Sequence, residues 1–187
     1  MAMNTAFRAT ILFLALSATT GAVARTADVT DPTAPRSVPV QGAVAVNWTD
    51  PAKFSDLRHS GNRWEAKRGN WVQELAQYLQ KRANRRLPSG EKLDVTITDI
   101  RRAGQYEPWR GANFGSTRVV REIYPPRIEL NFTLSAANGE VVAQGARKLT
   151  DLDFMRSASV VGASDPLRYE KRLIDEWLSK EFRRPNA

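Results

Sequence analysis

The sequence predicts an α+β fold, a two-layer sandwich in which two helices cover one face of a mostly antiparallel sheet of about four strands. Two segments, 93–100 and 127–135, alternate apolar and polar residues with the period of a half-buried strand. An Asn-Gly pair at 138–139 predicts a hairpin directly after the second of them. Two longer segments, 63–86 and 167–182, carry apolar residues at helical spacing. The order of strand, helix, strand, loop, hairpin and helix is typical of this class.

The first half of the domain predicts one strand and one long helix. Residues 43–48 alternate and form the first strand, which an Asp-Pro pair ends in a turn. The Ser-Gly-Asn sequence at 60–62 is a suitable entry into the helix at 63–86. Gly69 weakens the first turns of this helix, so its strong part is expected to begin near residue 70.

The second half adds the central strand, a loop, the hairpin and the closing helix. The segment 118–124 predicts a short strand, which two prolines end. The second strand of the hairpin, 140–149, has a weaker pattern, which indicates an edge strand or a bulge near Gly145. An Asp-Pro pair at 165–166 predicts the N-terminus of the last helix.

The first 24 residues have the three parts of a secretory signal peptide. Arg8 is the one charge of a short n-region, residues 9–18 are apolar, and Ala22-Val23-Ala24 is a small-x-small cleavage site. A membrane anchor is the alternative, but a spanning helix needs about 20 apolar residues. We therefore predict export, with cleavage near Ala24, and a periplasmic or secreted protein without a later membrane span.

The mature chain is predicted to have two parts. Residues 25–42 contain three prolines and no periodicity, which favours a disordered or extended leader. Residues 43–183 are predicted to form a single α+β domain. The chain has no cysteine, which excludes disulfides, thiolate metal sites, a cysteine nucleophile and a lipid-modified cysteine. An exported bacterial protein fits this composition better than a disulfide-rich eukaryotic module.

The formal charge of +8 indicates an anionic partner. Export and the lack of a nucleic-acid-binding motif argue against nucleic acid. The expected partners are an anionic envelope polymer, a membrane surface or another protein. A single histidine, His59, excludes a multi-histidine metal site, and no cofactor or catalytic residue is predicted.

The loop at 101–117 is the predicted binding region. Loops of this length inside a compact domain are usually functional or disordered. It mixes aromatic and cationic residues, which together bind anionic or ring-bearing partners. The alternative is that the aromatic residues fold back and cap the sheet. The candidate binding residues are Arg101, Arg102, Tyr106, Trp109, Arg110, Phe114 and Arg118.

Three aspartates at the ends of predicted elements are expected to be structural. They are Asp56, Asp99 and Asp151. Asp99 has the parity of Leu93 and Ile97, so we expect its carboxylate on the core side, held by backbone amides of the following loop or by an arginine. The alternative function is a carboxylate-based hydrolase or a metal-dependent enzyme that uses these groups.

Several segments, taken together, resemble a bacterial family. They are 48–56 (WTDPAKFSD), 87–90 (LPSG), 93–100 (LDVTITDI), 103–104 (AG), 124–130 (YPPRIEL) and Leu149 with Asp151. In these segments the chain resembles the secreted bacterial proteins that carry the domain of unknown function 3016. The resemblance implies no particular activity, because none is assigned to the family. The pair Arg101-Arg102 departs from the acidic or apolar pair that the family often has there.

Overall fold

The structure is a computed structural model, and it describes residues 27–156 and 164–182. The predicted signal peptide lies outside these residues. The α+β class is confirmed, because a four-stranded sheet packs against two 14-residue helices. The strands of this sheet are β1 (Val44–Trp48), β2 (Lys92–Arg101), β5 (Arg127–Ser135) and β6 (Val141–Thr150). The helices are α3 (Trp71–Asn84) and α5 (Arg168–Glu181).

The apolar faces of the strands and of the two helices form one core. Strand β1 is parallel to β2, whereas β2–β5 and β5–β6 are antiparallel, and β6 forms an edge of the sheet. The inward residues of β2 and β5 are buried together with the apolar stripes of α3 and α5. Tyr78 and Arg82 of α3 both donate hydrogen bonds to the carboxylate of Asp175 of α5, at 2.7 and 2.6 Å. These bonds fix the two helices against each other at one face of the sheet.

A register shift in β2 overturns the predicted position of Asp99. Ile97 pairs with Leu130 and Asp99 with Glu129, so one extra residue lies between them on β2. This extra residue reverses the alternation, because side chains alternate strictly only while the register holds. Ile100 is therefore buried in the core, and Asp99 lies half-buried at the end of the strand.

The predicted long helix is two helices. Helix α2 (Arg63–Lys67) precedes α3, and the side chain of Asn62 caps it by accepting from the amide of Glu65 at 3.2 Å. Gly69 separates the two helices with a φ of 91°, a left-handed conformation that ends a helix. The strong part of the pattern begins at residue 71, close to the predicted residue 70.

The predicted disordered leader is packed on the domain from residue 27 onward. Val29 and Val38 belong to the core. The amide of Val38 donates to the carbonyl of Val46 at 3.1 Å, and the amide of Trp48 donates to the carbonyl of Arg36 at 2.9 Å. The outer edge of β1 would otherwise present unpaired backbone groups, so this segment takes a fixed course despite its lack of periodicity.

The segment between β2 and β5 folds into short elements. Strand β3 (Gln105–Tyr106) pairs with β4 (Arg118–Val119), which is the only part of the predicted strand 118–124 that forms. A 3₁₀ turn at Pro108–Arg110 and helix α4 (Ala112–Ser116) lie between β3 and β4. Helix α1 (Ser55–Arg58) contacts the end of β2. Within the described residues, we find no helix with the length and apolar character needed to cross a membrane.

Candidate functional site: the loop between β2 and β5

The base of the loop is built on one buried carboxylate, Asp56 of α1. Its Oδ1 accepts the backbone amide of Arg102 at 2.9 Å. Its Oδ2 accepts Nε and Nη2 of Arg102, at 3.1 and 2.8 Å, and Nη2 of Arg118 at 2.9 Å. Burial by itself would raise the pKa of Asp56, but the charges of Arg102 and Arg118 outweigh it and hold that pKa below its usual value. Asp56 is therefore ionised at neutral pH.

Each of the two arginines also stacks on an aromatic ring. The Arg102 guanidinium lies 4.1 Å from the ring centre of Trp71 and donates to the carbonyl of Ala66 at 2.8 Å. The Arg118 guanidinium lies 4.9 Å from the ring centre of Tyr106, which is itself buried. Three of the predicted binding residues, Arg102, Tyr106 and Arg118, are thus directed inward and join the loop to the domain.

A second buried carboxylate, Glu170 of α5, lies beside this base. Its Oε1 accepts the amide of Ala103 at 2.6 Å, while no hydrogen-bond donor of the described residues reaches its Oε2. Burial raises the pKa of Glu170. Glu170 was not predicted as a site residue although a signal was present, because it stands at the helical spacings i+3 from Leu167 and i−4 from Ile174, on the apolar stripe of α5.

A third buried carboxylate, Glu107, organises the outer part of the loop. Its Oε1 accepts the Tyr124 hydroxyl at 2.8 Å and Nη1 of Arg121 at 3.1 Å, and its Oε2 accepts Nη1 of Arg110 at 3.1 Å. The hydrogen bond from Tyr124 and the two arginines lower the pKa of Glu107. The same hydrogen bond raises the pKa of Tyr124. No periodic pattern surrounds Glu107 in the sequence, so nothing there indicated its burial.

The tip of the loop leaves large aromatic side chains in solvent. Trp109 is 67% exposed, and Phe114 is partly exposed with the Arg110 guanidinium 5.0 Å from its ring centre. On the neighbouring helix α2, Trp64 is 65% exposed, and Nζ of Lys67 lies 4.7 Å from its ring centre. We call these five residues the aromatic surface. Trp64 was missed because it lies inside the predicted helix 63–86, although Gly69 already indicated that the first turns of that helix are weak.

Helix α2 and the tip of the loop are joined by polar contacts. Asn62 donates from Nδ2 to the carbonyl of Gly115 at 2.7 Å, and Gln105 donates from Nε2 to the carbonyl of His59 at 2.7 Å. Gly61 packs so closely that a β-carbon there would lie 3.0 Å from Cδ of Pro108. The segment that carries Trp64 therefore lies against the segment that carries Trp109.

The remaining predicted site residues make contacts with other parts of the domain. Asp99 accepts the amide and the hydroxyl of Ser55, so it binds the first turn of α1 and not the following loop or an arginine. Asp151 accepts the amide of Asp153 at 2.9 Å and pairs with Arg172 at 3.5 Å. Arg101 is half-buried and lies opposite Arg127 in the sheet. The described residues contain no group of three or more His, Cys, Asp or Glu side chains that could hold a metal ion.

Comparison with known proteins identifies a family but no activity. Residues 42–180 match the family described as protein of unknown function, DUF3016, which confirms the resemblance seen in the sequence. No curated protein matches the chain. A crystal structure of a putative lipoprotein from Caulobacter crescentus CB15 is similar with 13% sequence identity and a TM-score of 0.34, over 57% of this chain and 76% of that chain.

Proposed function

We propose that this chain, which belongs to the family of proteins of unknown function DUF3016, is an exported, non-enzymatic binding domain. Its binding site is the aromatic surface, and its partner is an anionic envelope component or another protein. The export part of the proposal depends on the predicted signal peptide. Cleavage near Ala24 is tested by the mass and the N-terminal sequence of the protein recovered from the exported fraction.

The exposure of Trp109 carries the proposal. Tryptophan is among the most frequent residues at the energetic centres of interfaces, because its large ring gains much from burial at little cost in side-chain entropy. The backbone around Trp109 is held by the buried carboxylate of Glu107, which accepts from Arg110, Arg121 and Tyr124. The indole itself is 67% exposed and so gains little burial within the protein. A partner that covers it would supply that burial.

The surroundings of the aromatic surface favour an anionic partner. Lys67 and Arg110 lie on its rings, and Arg58 and Arg63 are exposed on the adjoining segment. Rings and cations in this arrangement offer apolar area and positive charge at the same place. The charge of the whole chain has the same sign, which speeds the approach of a negatively charged partner.

The alternative, an enzyme that uses the carboxylates, has less support. Catalysis by a pair of carboxyl groups needs oxygens that can reach a substrate. Both oxygens of Asp56 are occupied by arginine groups, and both oxygens of Asp99 accept hydrogen bonds from Ser55. These contacts favour structural roles for the two residues.

The test is site-specific crosslinking in cells. A photo-crosslinking amino acid replaces Trp109 in one strain and Val142 in another, because Val142 is also exposed but lies on β6, at the hairpin end of the sheet. Adducts at position 109 and none at position 142 are expected. In parallel, Trp109→Ala should reduce sedimentation of the mature protein with washed cell envelopes at unchanged thermal stability. Equal sedimentation of Trp109→Ala and wild type, with no adduct at position 109, would refute the proposal.

A further inference from the structure

The exposed apolar surface continues beyond the aromatic residues into aliphatic ones. The turn after β4 is tied to Glu107 by Arg121 and Tyr124. Ile123, one of the two residues between them, is 65% exposed. Its neighbour Glu122 lines one small cleft together with Leu152, which is 74% exposed. Large apolar side chains are thus exposed on the turn that precedes β5 and on the segment that follows β6.

Cations lie between these apolar side chains. Arg110 and Arg121 share the buried carboxylate of Glu107, and the side chains of both are about half exposed. Two arginines and one carboxylate leave one excess positive charge around Glu107, whereas the exposed carboxylates of Glu122 and Asp153 lie beside Ile123 and Leu152, so the positive charge of the surface lies toward the loop tip. Arg63, next to Trp64, adds another exposed cation.

We infer that this surface, from Trp64 through Trp109 to Ile123 and Leu152, docks on an anionic lipid bilayer. The inference rests on the proposed function and names its partner. Aliphatic side chains distinguish the candidate partners. A glycan stacks on flat aromatic rings and gains little from exposed Ile123 and Leu152, whereas a bilayer accepts aromatic and aliphatic groups alike.

The positions of the cations fit the same partner. Trp is enriched at the level of the lipid headgroups, where its ring is apolar and its indole N–H stays hydrated. Each basic residue near an anionic membrane adds attraction to the lipid phosphates. In the aromatic surface Arg110 lies directly on a ring that a membrane would receive, and Arg58 and Arg63 are exposed near Trp64, whereas Lys67 already pairs with Asp28 at 2.9 Å. Docking would therefore bring the rings into the membrane and these arginines to the lipid phosphates together.

The experiment uses the full mature protein and vesicles of defined composition. Partition coefficients are measured by sedimentation with vesicles of phosphatidylglycerol and phosphatidylcholine, and with vesicles of phosphatidylcholine alone. Strong preference for the anionic vesicles is expected. It should weaken when salt shortens the Debye length from about 10 Å at 0.1 M to about 3 Å at 1 M.

Matched variants locate the contact. Trp109→Ala should lower the partition coefficient about tenfold and Leu152→Ala about fivefold, because both side chains are buried in the headgroup region. Arg63→Gln should lower it about fivefold through the lost phosphate attraction. Val142→Ala is the control, since it removes exposed apolar area at the hairpin end of the sheet, and it should change nothing.

Two results would overturn the inference. One is equal partition of the wild type onto anionic and neutral vesicles, or onto neither. The other is a loss of binding with Trp109→Ala and none with Leu152→Ala, which is the pattern of a glycan or protein site. If either occurs while Trp109→Ala still reduces sedimentation with washed envelopes, the proposed function stands and only the bilayer is wrong.

Discussion

An arginine stacks on an aromatic ring both at the base and at the tip of the loop, but the pair at the base is enclosed by the protein and the pair at the tip is exposed to solvent. At the base, Arg102 stacks on Trp71 at 4.1 Å, and at the tip, Arg110 stacks on Phe114 at 5.0 Å. The base pair is buried and also holds Asp56. Arg110 and Phe114 at the tip are exposed to solvent, and Arg110 pairs with the buried carboxylate of Glu107.

The two guanidinium groups differ in how many acceptors they have within the protein. Arg102 lies between the carboxylate of Asp56, the carbonyl of Ala66 and the ring of Trp71, so all its sides are used within the protein. Arg110 donates from one nitrogen to Glu107, and its side chain is about half exposed. An arginine next to an aromatic ring is therefore a structural element or a binding element depending on how many internal acceptors it has.

The largest expected effect is that of Asp56→Ala. It leaves Arg102 and Arg118 buried without their shared carboxylate, and breaking such a buried pair costs about 3–5 kcal/mol of unfolding free energy. Urea denaturation of the variant measures this loss. Asp94→Ala, on the exposed face of β2, is the control and should stay within about 0.5 kcal/mol. A loss for Asp56→Ala no larger than for the control would remove the distinction between base and tip.

The next effect compares the two stacked arginines directly. Arg102→Ala should cost about 3 kcal/mol, which is less than the loss of Asp56 because Arg118 still neutralises that carboxylate. Arg110→Ala should cost about 0.5 kcal/mol, since the Arg110 side chain is half exposed and Glu107 keeps Arg121 and Tyr124. Denaturation curves of the two variants measured side by side check this. Equal losses would contradict the assignment of Arg110 to the binding surface.

A smaller effect is expected where α2 meets the tip. Neither Gly61 nor Gly115 has a positive φ, so alanine tests space alone at both positions. A methyl group at Gly61 collides with the carbonyl oxygen of Tyr106, whereas at Gly115 the nearest atom is 3.7 Å away. Gly61→Ala should therefore cost about 1–3 kcal/mol and also weaken envelope binding, because the indoles of Trp64 and Trp109 move apart. Gly115→Ala should be neutral, and thermal unfolding of both variants provides the comparison.

The smallest effect is on the pH dependence of stability, to which Glu170 and Asp56, the two carboxylates of the base, contribute with opposite sign. Burial raises the pKa of Glu170, so its contribution to stability is full below the unfolded pKa of about 4.3 and is lost as the pH rises through the folded value. Asp56, whose pKa is lowered, contributes in the opposite sense and loses its contribution as the pH falls below about 4. Glu170→Gln should remove a downward slope of at most about 1.4 kcal/mol per pH unit above pH 4.3. Identical slopes in the variant and the wild type would show that Glu170 does not titrate in this way.

The regular elements could be predicted from the sequence because their signals are local. Alternation with a period of two located β2 and β5 almost to the residue, and the stripe of α5 located that helix. The same local rule failed at Asp99, because a one-residue shift in register depends on the partner strand and leaves no mark on β2 itself. It failed again for residues 27–42, whose order comes from the edge of β1 and not from their own pattern.

The sequence alone determined the fold class, the family and the place of the aromatic and basic loop, because periodicity and motif order are properties of neighbouring residues. Only the tertiary structure decided which cations of that loop are available to a partner. Asp56 lies 46 residues from Arg102 and 62 from Arg118 along the chain. The folded chain brings this carboxylate to those two arginines and leaves Arg110 and Trp109 facing solvent. Since burial and charge pairing are set by residues far apart in sequence, no local pattern could separate the two groups.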